Sequence, residues 1–160
     1  RIAAGTRSNL LCCTGVVDFA AGTLAVSFIK SNGGAPEKDL KELWRRIVFN
    51  MAVSNTDDHL RNHGFILTPN GWCLSPLYDV NPVPYGDELS LNVSEEDPSI
   101  SVELAVETSE YYGFSKNEAE KEAQNILAVV KDNWEKLAVK YGIGRSNVEY
   151  MRPAFSASIN

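Results

Sequence analysis

With 160 residues, 44% of them apolar and 22% charged, the chain has the make-up of one ordinary globular domain able to bury a core. Its net charge of −6 and isoelectric point near 4.9 argue against direct, sequence-independent binding to nucleic acid, which depends on a basic surface. The cysteines, an adjacent pair at Cys12 and Cys13 and a single Cys73, offer neither a disulfide framework nor a metal knuckle and favour a reducing, cytoplasmic setting.

The chain opens on Arg1 rather than Met, as expected of a fragment of something longer. From Leu10 to Ile29 only Asp18 is charged, a run long enough to span a bilayer. Thr14, Gly15, Gly22, Thr23 and Ser27 interrupt it and no aromatic anchors flank it, so a buried helix, or a helix and loop, is expected instead of a membrane span. It also lacks the basic start and small-residue cleavage site of a signal peptide. Ser31 to Ala35 carries two glycines but neither a full phosphate-loop motif nor a preceding strand, and reads as a connecting loop.

Pro36 and Glu37 make a favourable first helical turn, with Asp39 adding negative charge near the positive helix end. Leu40, Leu43, Trp44, Ile47, Val48 and Met51 then fall on one face, and Lys41, Glu42, Arg45 and Arg46 on the other, which is expected to be solvated. This helix delivers the chain into Ser54-Asn55-Thr56-Asp57-Asp58-His59-Leu60-Arg61-Asn62-His63. A loop anchored on a packed element can hold reactive groups to the tolerance that chemistry requires. Gly64 to Thr68 and Trp72 to Leu74 read as two strands joined by the turn signal Pro69-Asn70-Gly71. Such a hairpin would return Asp79, seventeen residues beyond Asn62, to the loop.

Phosphoryl transfer uses this type of arrangement, one carboxylate orienting the attacking hydroxyl and an amide oxygen with a second carboxylate holding Mg²⁺ against the phosphates. Asp57 and Asn62 have the five-residue spacing of the protein-kinase catalytic loop. Beyond Asn81 the chain is rich in Pro, Gly and acidic residues, with a strand-like patch from Leu89 to Val93 and a solvated acidic trio at Glu95 to Asp97. The remainder is helical. Ile100 to Tyr112 ends at Gly113, and Ser115 with Glu118 forms a capping box opening a long helix. That helix should hold Ala119, Ile126, Leu127, Val130, Trp134, Leu137 and Tyr141 inside, and Gly142 closes it. Ser146 and Glu149 open a last helix on the same logic, limited by Pro153.

Three runs carry a resemblance: Glu42 to Asn50, Asn55 to Phe65, and Gly71 to Pro82. Long and in the right order, they are similar to the HipA-like kinases, the toxin-type serine/threonine kinases of bacterial toxin–antitoxin modules. The resemblance implies a mainly α fold with short β-hairpins, the C-terminal (large) lobe of a protein-kinase-like enzyme using ATP and Mg²⁺. It implies Asp57 as the catalytic base and Asn62 and Asp79 as Mg²⁺ ligands. It also implies a HipB-like DNA-binding antitoxin and a protein substrate, in the best-known members belonging to the translation machinery.

Asn55-Thr56-Asp57 and Asp79-Val80-Asn81 replace the His-Arg-Asp and Asp-Phe-Gly of common eukaryotic kinases, in keeping with the HipA-like pattern. The nucleotide-gripping lobe of the family would precede residue 1, so the chain by itself is expected to be inactive. Asp58 suits a structural cap. His59 suits bracing of Asp57 or of the Asp79 segment, and Arg61 a pairing with Asp58 or with phosphate. Trp72 and Tyr78 suit packing. Two other readings stand beside the kinase: a phosphohydrolase holding two metals on Asp57, Asp58, His59 and Asp79, and a non-catalytic lobe that docks an antitoxin.

Overall fold

The computed structural model describes residues 10–11, 21–85 and 101–159. Three antiparallel strands, β1 (Leu10–Leu11), β2 (Phe65–Thr68) and β3 (Gly71–Leu74), form a small sheet in that order. The helices are α1 (Ala21–Asn32), α2 (Pro36–Ala52), α3 (Val102–Glu107), α4 (Lys116–Lys140), α5 (Arg145–Met151) and α6 (Ser156–Ile159). Leu89 to Val93 and Glu95 to Asp97 lie outside the described residues. Leu10 and Leu11, at the head of the run read as a helix or a helix and loop, pair as a strand with Ile66 and Phe65. No described helix is long and apolar enough to cross a membrane.

Helix α2 is the axis of the core. All six apolar residues of its predicted stripe are buried, against Ala25, Val26 and Ile29 of α1, Phe65 of β2, Ala105 of α3 and Ala119 of α4. Trp44, wholly buried, packs on Phe114 at 4.8 Å between ring centroids and donates its indole N–H to the Ala105 carbonyl at 2.8 Å. Truncating such a residue to alanine costs about 3 to 5 kcal/mol. The opposite face departs from expectation at one position. Arg46 is buried at 6% exposure, its guanidinium bonded to Glu42, whereas Arg45 stays half-exposed and pairs with Glu122 of α4. Helix α4 covers this side of α2, so Arg46 lies between two helices rather than in water.

The hairpin is tighter than the turn signal implied. Thr68 pairs with Gly71, leaving Pro69 and Asn70 as the loop. Gly71 has φ +123°, and a side chain there would also meet the Asn32 carbonyl oxygen and the Gly34 nitrogen, both at 2.9 Å. The Gly34 N–H donates to the Trp72 carbonyl at 2.8 Å. Gly33 and Gly34 thus let the α1–α2 corner press onto the hairpin, a packing role in place of a phosphate cradle. Asp39 does more than favour the helix end: buried, it accepts the Leu74 N–H at 2.9 Å and fixes β3 to α2.

In the C-terminal part, the stretch before Gly113 divides into α3, capped by the Ser101 hydroxyl, and a 3₁₀ turn over Ser109–Tyr112. The capping box of Ser115 and Glu118 forms as expected. Ala119, Val130 and Trp134 are buried, but Leu137 and Tyr141 are exposed. They line an apolar groove of about 590 Å³ between the end of α4 and α5, which leaves their faces uncovered. Helix α5 starts two residues earlier than predicted, with Gly144 rather than Ser146 as its cap and no capping hydrogen bond from a side chain. Pro153 sits in a 3₁₀ turn, Arg152–Phe155, that breaks α5 from α6. The Ser158 hydroxyl then donates to the Ala52 carbonyl at 2.9 Å, satisfying the C-terminal end of α2 just before the acidic loop.

Candidate active site

Helix α2 stops at Val53, and Ser54 turns the chain with φ 47°. The loop that follows buries most of its polar side chains. Asp58 is 2% exposed and His63 wholly buried, while Asp57 between them and Thr56 faces solvent. A buried carboxylate needs donors. Asp58 receives the Asn50 side-chain N–H at 2.7 Å and His63 Nε2 at 3.0 and 3.2 Å from its two oxygens. An ionised carboxylate only accepts, so His63 carries its proton on Nε2 in this contact.

The bonding continues past Asp58. Asn50 Oδ1 accepts the Asn55 side-chain N–H at 3.2 Å, and Asn55 Oδ1 accepts the Asn81 backbone N–H at 3.3 Å. The Asn81 side chain in turn donates to Asp79 Oδ1 at 3.0 Å. The hairpin therefore brings Asp79 back as expected, and Asn62 Nδ2 approaches its carbonyl oxygen at 3.4 Å. Asp79 is exposed, with φ 58°, a left-handed conformation uncommon outside glycine that the surrounding hydrogen bonds hold in place. Tyr78 does more than pack, since its hydroxyl donates to the Arg61 carbonyl at 2.6 Å, a second tie between the two loops. Trp72 packs on Phe28 at 6.1 Å.

The expected residues thus divide. Asn62 and Asp79 touch, Asp57 stands exposed on the turn, and Asp58 is buried with its carboxylate on the Asn50 and His63 side chains, where a cap would take backbone N–H groups. Among the described residues no hydrogen bond joins His59 to Asp57 or to the Asp79 segment; the imidazole that bonds within the loop is that of His63, to Asp58. Arg61 is exposed, its carbonyl serving Tyr78. Asn50 and Asn55 escaped a reading of the loop as a list of charged groups. One signal for Asn50 was available: it follows Leu43 and Ile47 at i+7 and i+3 on the apolar face of α2, where an amide has no reason to sit without a partner.

Asn62, buried, and Asp79, exposed, meet where the Asn62 amide nitrogen approaches the Asp79 carbonyl, and their side chains carry an amide oxygen and a carboxylate, hard donors of the kind Mg²⁺ takes while it keeps several waters. The donor set therefore fits that ion. Among the described residues no group of three His, Cys, Asp or Glu side chains could hold a metal. The Asp58 carboxylate, a ligand in the two-metal reading, is buried and accepts from Asn50 and His63.

Residues 19–134 match the family model of the HipA-like C-terminal domain. The fold is similar to that of a chain in the Shewanella oneidensis MR-1 complex of toxin–antitoxin proteins HipA and HipB with operator DNA, with a TM-score of 0.68 and 19% identity. The match covers 83% of this chain and 34% of that one, so the chain spans about a third of the matched chain's length. No curated protein sequence matches. The chain belongs to the HipA-like C-terminal domain family.

Proposed function

We propose that the chain is the large catalytic lobe of a HipA-like serine/threonine kinase, which transfers the γ-phosphate of ATP to a hydroxyl of a protein. Asp57 is the base. As the hydroxyl oxygen bonds to the γ-phosphorus and the bond to ADP breaks, the Asp57 carboxylate takes the hydroxyl proton. Asn62 and Asp79 hold Mg²⁺, which when bound neutralises charge on the phosphates. The observation that carries this reading is the return of Asp79 onto Asn62 across the hairpin, beside a turn that keeps Asp57 exposed.

The matched structure contains HipB and operator DNA as well as HipA. A HipB-like antitoxin is accordingly the proposed partner, and it makes any DNA contact, since this chain carries a net charge of −6. The phosphorylated protein is proposed to be translation-related, and the setting cytoplasmic. The chain spans about a third of the matched chain's length, and nucleotide gripping is proposed to lie in such further sequence, with the chain alone inactive or nearly so.

The test is phosphorylation by the full-length protein with ATP and Mg²⁺, beside its Asp57→Ala variant. Loss of a positioned base lowers the rate by about 10²- to 10⁴-fold. Because Asp57 is exposed, folding should be unaffected. An active protein indifferent to the substitution would remove Asp57 from its role.

A further inference from the structure

The hydrogen bonds from Asp58 to Asn81 have a direction. At one end stands a carboxylate, which only accepts; at the other stands a backbone N–H, which only donates. Two amides lie between them, Asn50 and Asn55, each 1% exposed. Asn50 must point its NH₂ at Asp58, which leaves its oxygen for Asn55. Asn55 must point its NH₂ at Asn50, which leaves its oxygen for Asn81. Reversing either amide opposes donor to donor or acceptor to acceptor, so both ends fix a single arrangement.

Nothing in this chain of bonds touches solvent until Asn81, whose side chain bonds Asp79 Oδ1. The same loop is held on its other side by carbon, since Val80 packs against Ala52, Val53 and Val130. A second backbone bond runs parallel to the relay, from the Val83 N–H to the Ser54 carbonyl at 3.1 Å.

We propose that Asn55, with Asn50 behind it, is a positioning residue that sets the Asp79–Asn81 loop against the Asp57–Asn62 loop. The proposal rests on the reading of Asn62 and Asp79 as metal ligands. Asn55 touches neither metal nor substrate. It holds the Asn81 backbone, and Asn81 holds the Asp79 carboxylate. Partners of ligands that act in this way change metal affinity by about 10- to 100-fold when removed. Position 55 needs a group that donates on one side and accepts on the other, and leucine, similar in size, does neither.

The experiment uses the full-length protein with a non-hydrolysable ATP analogue and Mn²⁺ as the probe, free Mn²⁺ being read by electron paramagnetic resonance. Asn55→Leu should weaken Mn²⁺ binding at least about tenfold at a temperature where it remains folded. Leu43→Ala, a destabilised control remote in the apolar core, should bind as the unsubstituted protein does. Unchanged affinity in Asn55→Leu, or equal weakening in both variants, overturns the proposal. Folded, unsubstituted protein that binds no Mn²⁺ overturns the ligand assignment itself, and the positioning role with it. Should Asn55→Leu not fold, amide exchange in the unsubstituted protein decides. Protection of the Asn81 N–H supports the relay, and exchange at the rate of an unstructured amide overturns it.

Discussion

Around the acidic loop the chain buries amides, a carboxylate and an imidazole, whereas from Lys116 onward it buries apolar side chains and leaves its charges outside. Asn50, Asn55, Asp58, Asn62 and His63 are all at most 3% exposed. In the C-terminal part the described buried side chains are Ala119, Ala123, Val130, Trp134, Val148, Ala154 and a single hydroxyl, Ser158. Apolar packing is non-directional and tolerates substitution of similar volume. Buried polar groups demand partners at fixed distances and angles, so they specify geometry at the cost of tolerance. The chain places its directional interactions where two loops must meet and its forgiving ones elsewhere.

The widest gap should appear at Asp58. Asp58→Ala strands the Asn50 and His63 donors in the interior, and the loss should reach about 3 to 5 kcal/mol in urea unfolding. A loss under about 1 kcal/mol would mean that water or a shifted side chain satisfies both donors, and the buried network would not be specifying the loop. At the start of α4 the expected effect is smaller. The Ser115 hydroxyl accepts the Glu118 N–H and faces water, so Ser115→Ala should cost about 1 kcal/mol.

Acid sharpens the same point. The Ser115 hydrogen bonds, then Lys41, hold the Glu118 carboxyl below the usual carboxylate range. A depressed folded-state value stabilises the fold above the unfolded value, and that stabilisation is lost as pH falls through the folded one. Glu118→Gln keeps a capping partner without the charge, so its melting midpoint should fall less than that of the unsubstituted protein between about pH 5 and 3. An equal fall would assign the acid sensitivity to other carboxylates.

How much was legible in the sequence follows the same division. The stripe of α2, the capping box at Ser115 and the hairpin are local patterns, each set by residues a few positions apart, and each appears where expected, the hairpin with a turn one residue shorter. The strand at Leu10 and Leu11 was missed because a two-residue strand has no periodicity, and its partner β2 lies more than fifty positions on. Arg46 was misread because its burial depends on α4, which no pattern within α2 announces. Leu137 and Tyr141 continue the apolar period of α4 into the groove that α5 leaves uncovered. In the site, the spacing of Asp57, Asn62 and Asp79 was visible as a motif. The links through Asn50 and Asn55 were not, since amides carry no charge to mark them and the bond to Asn81 spans 26 positions.

The smallest effect belongs to Arg152, which bonds Glu135 and Glu149 on the surface. Surface pairs gain little in water and are screened by salt. At neutral pH and about 0.15 M salt, Arg152→Ala should melt within about 2 °C of the unsubstituted protein. The Arg152 hydrogen bond, then its charge, holds the Glu149 carboxyl below the usual carboxylate range. What stabilisation the pair supplies is therefore present above the ordinary carboxylate pKa and lost as pH falls through the depressed one. The difference between the two proteins should shrink in acid and in high salt. The guanidinium also lies over the Trp134 ring, 5.4 Å from its centroid. A difference that survives both treatments would report that contact, since the Trp134 ring under the guanidinium does not titrate. A loss as large as that of Asp58→Ala would break the comparison, because an exposed charge would then be holding the C-terminal helices as firmly as a buried one holds the loop.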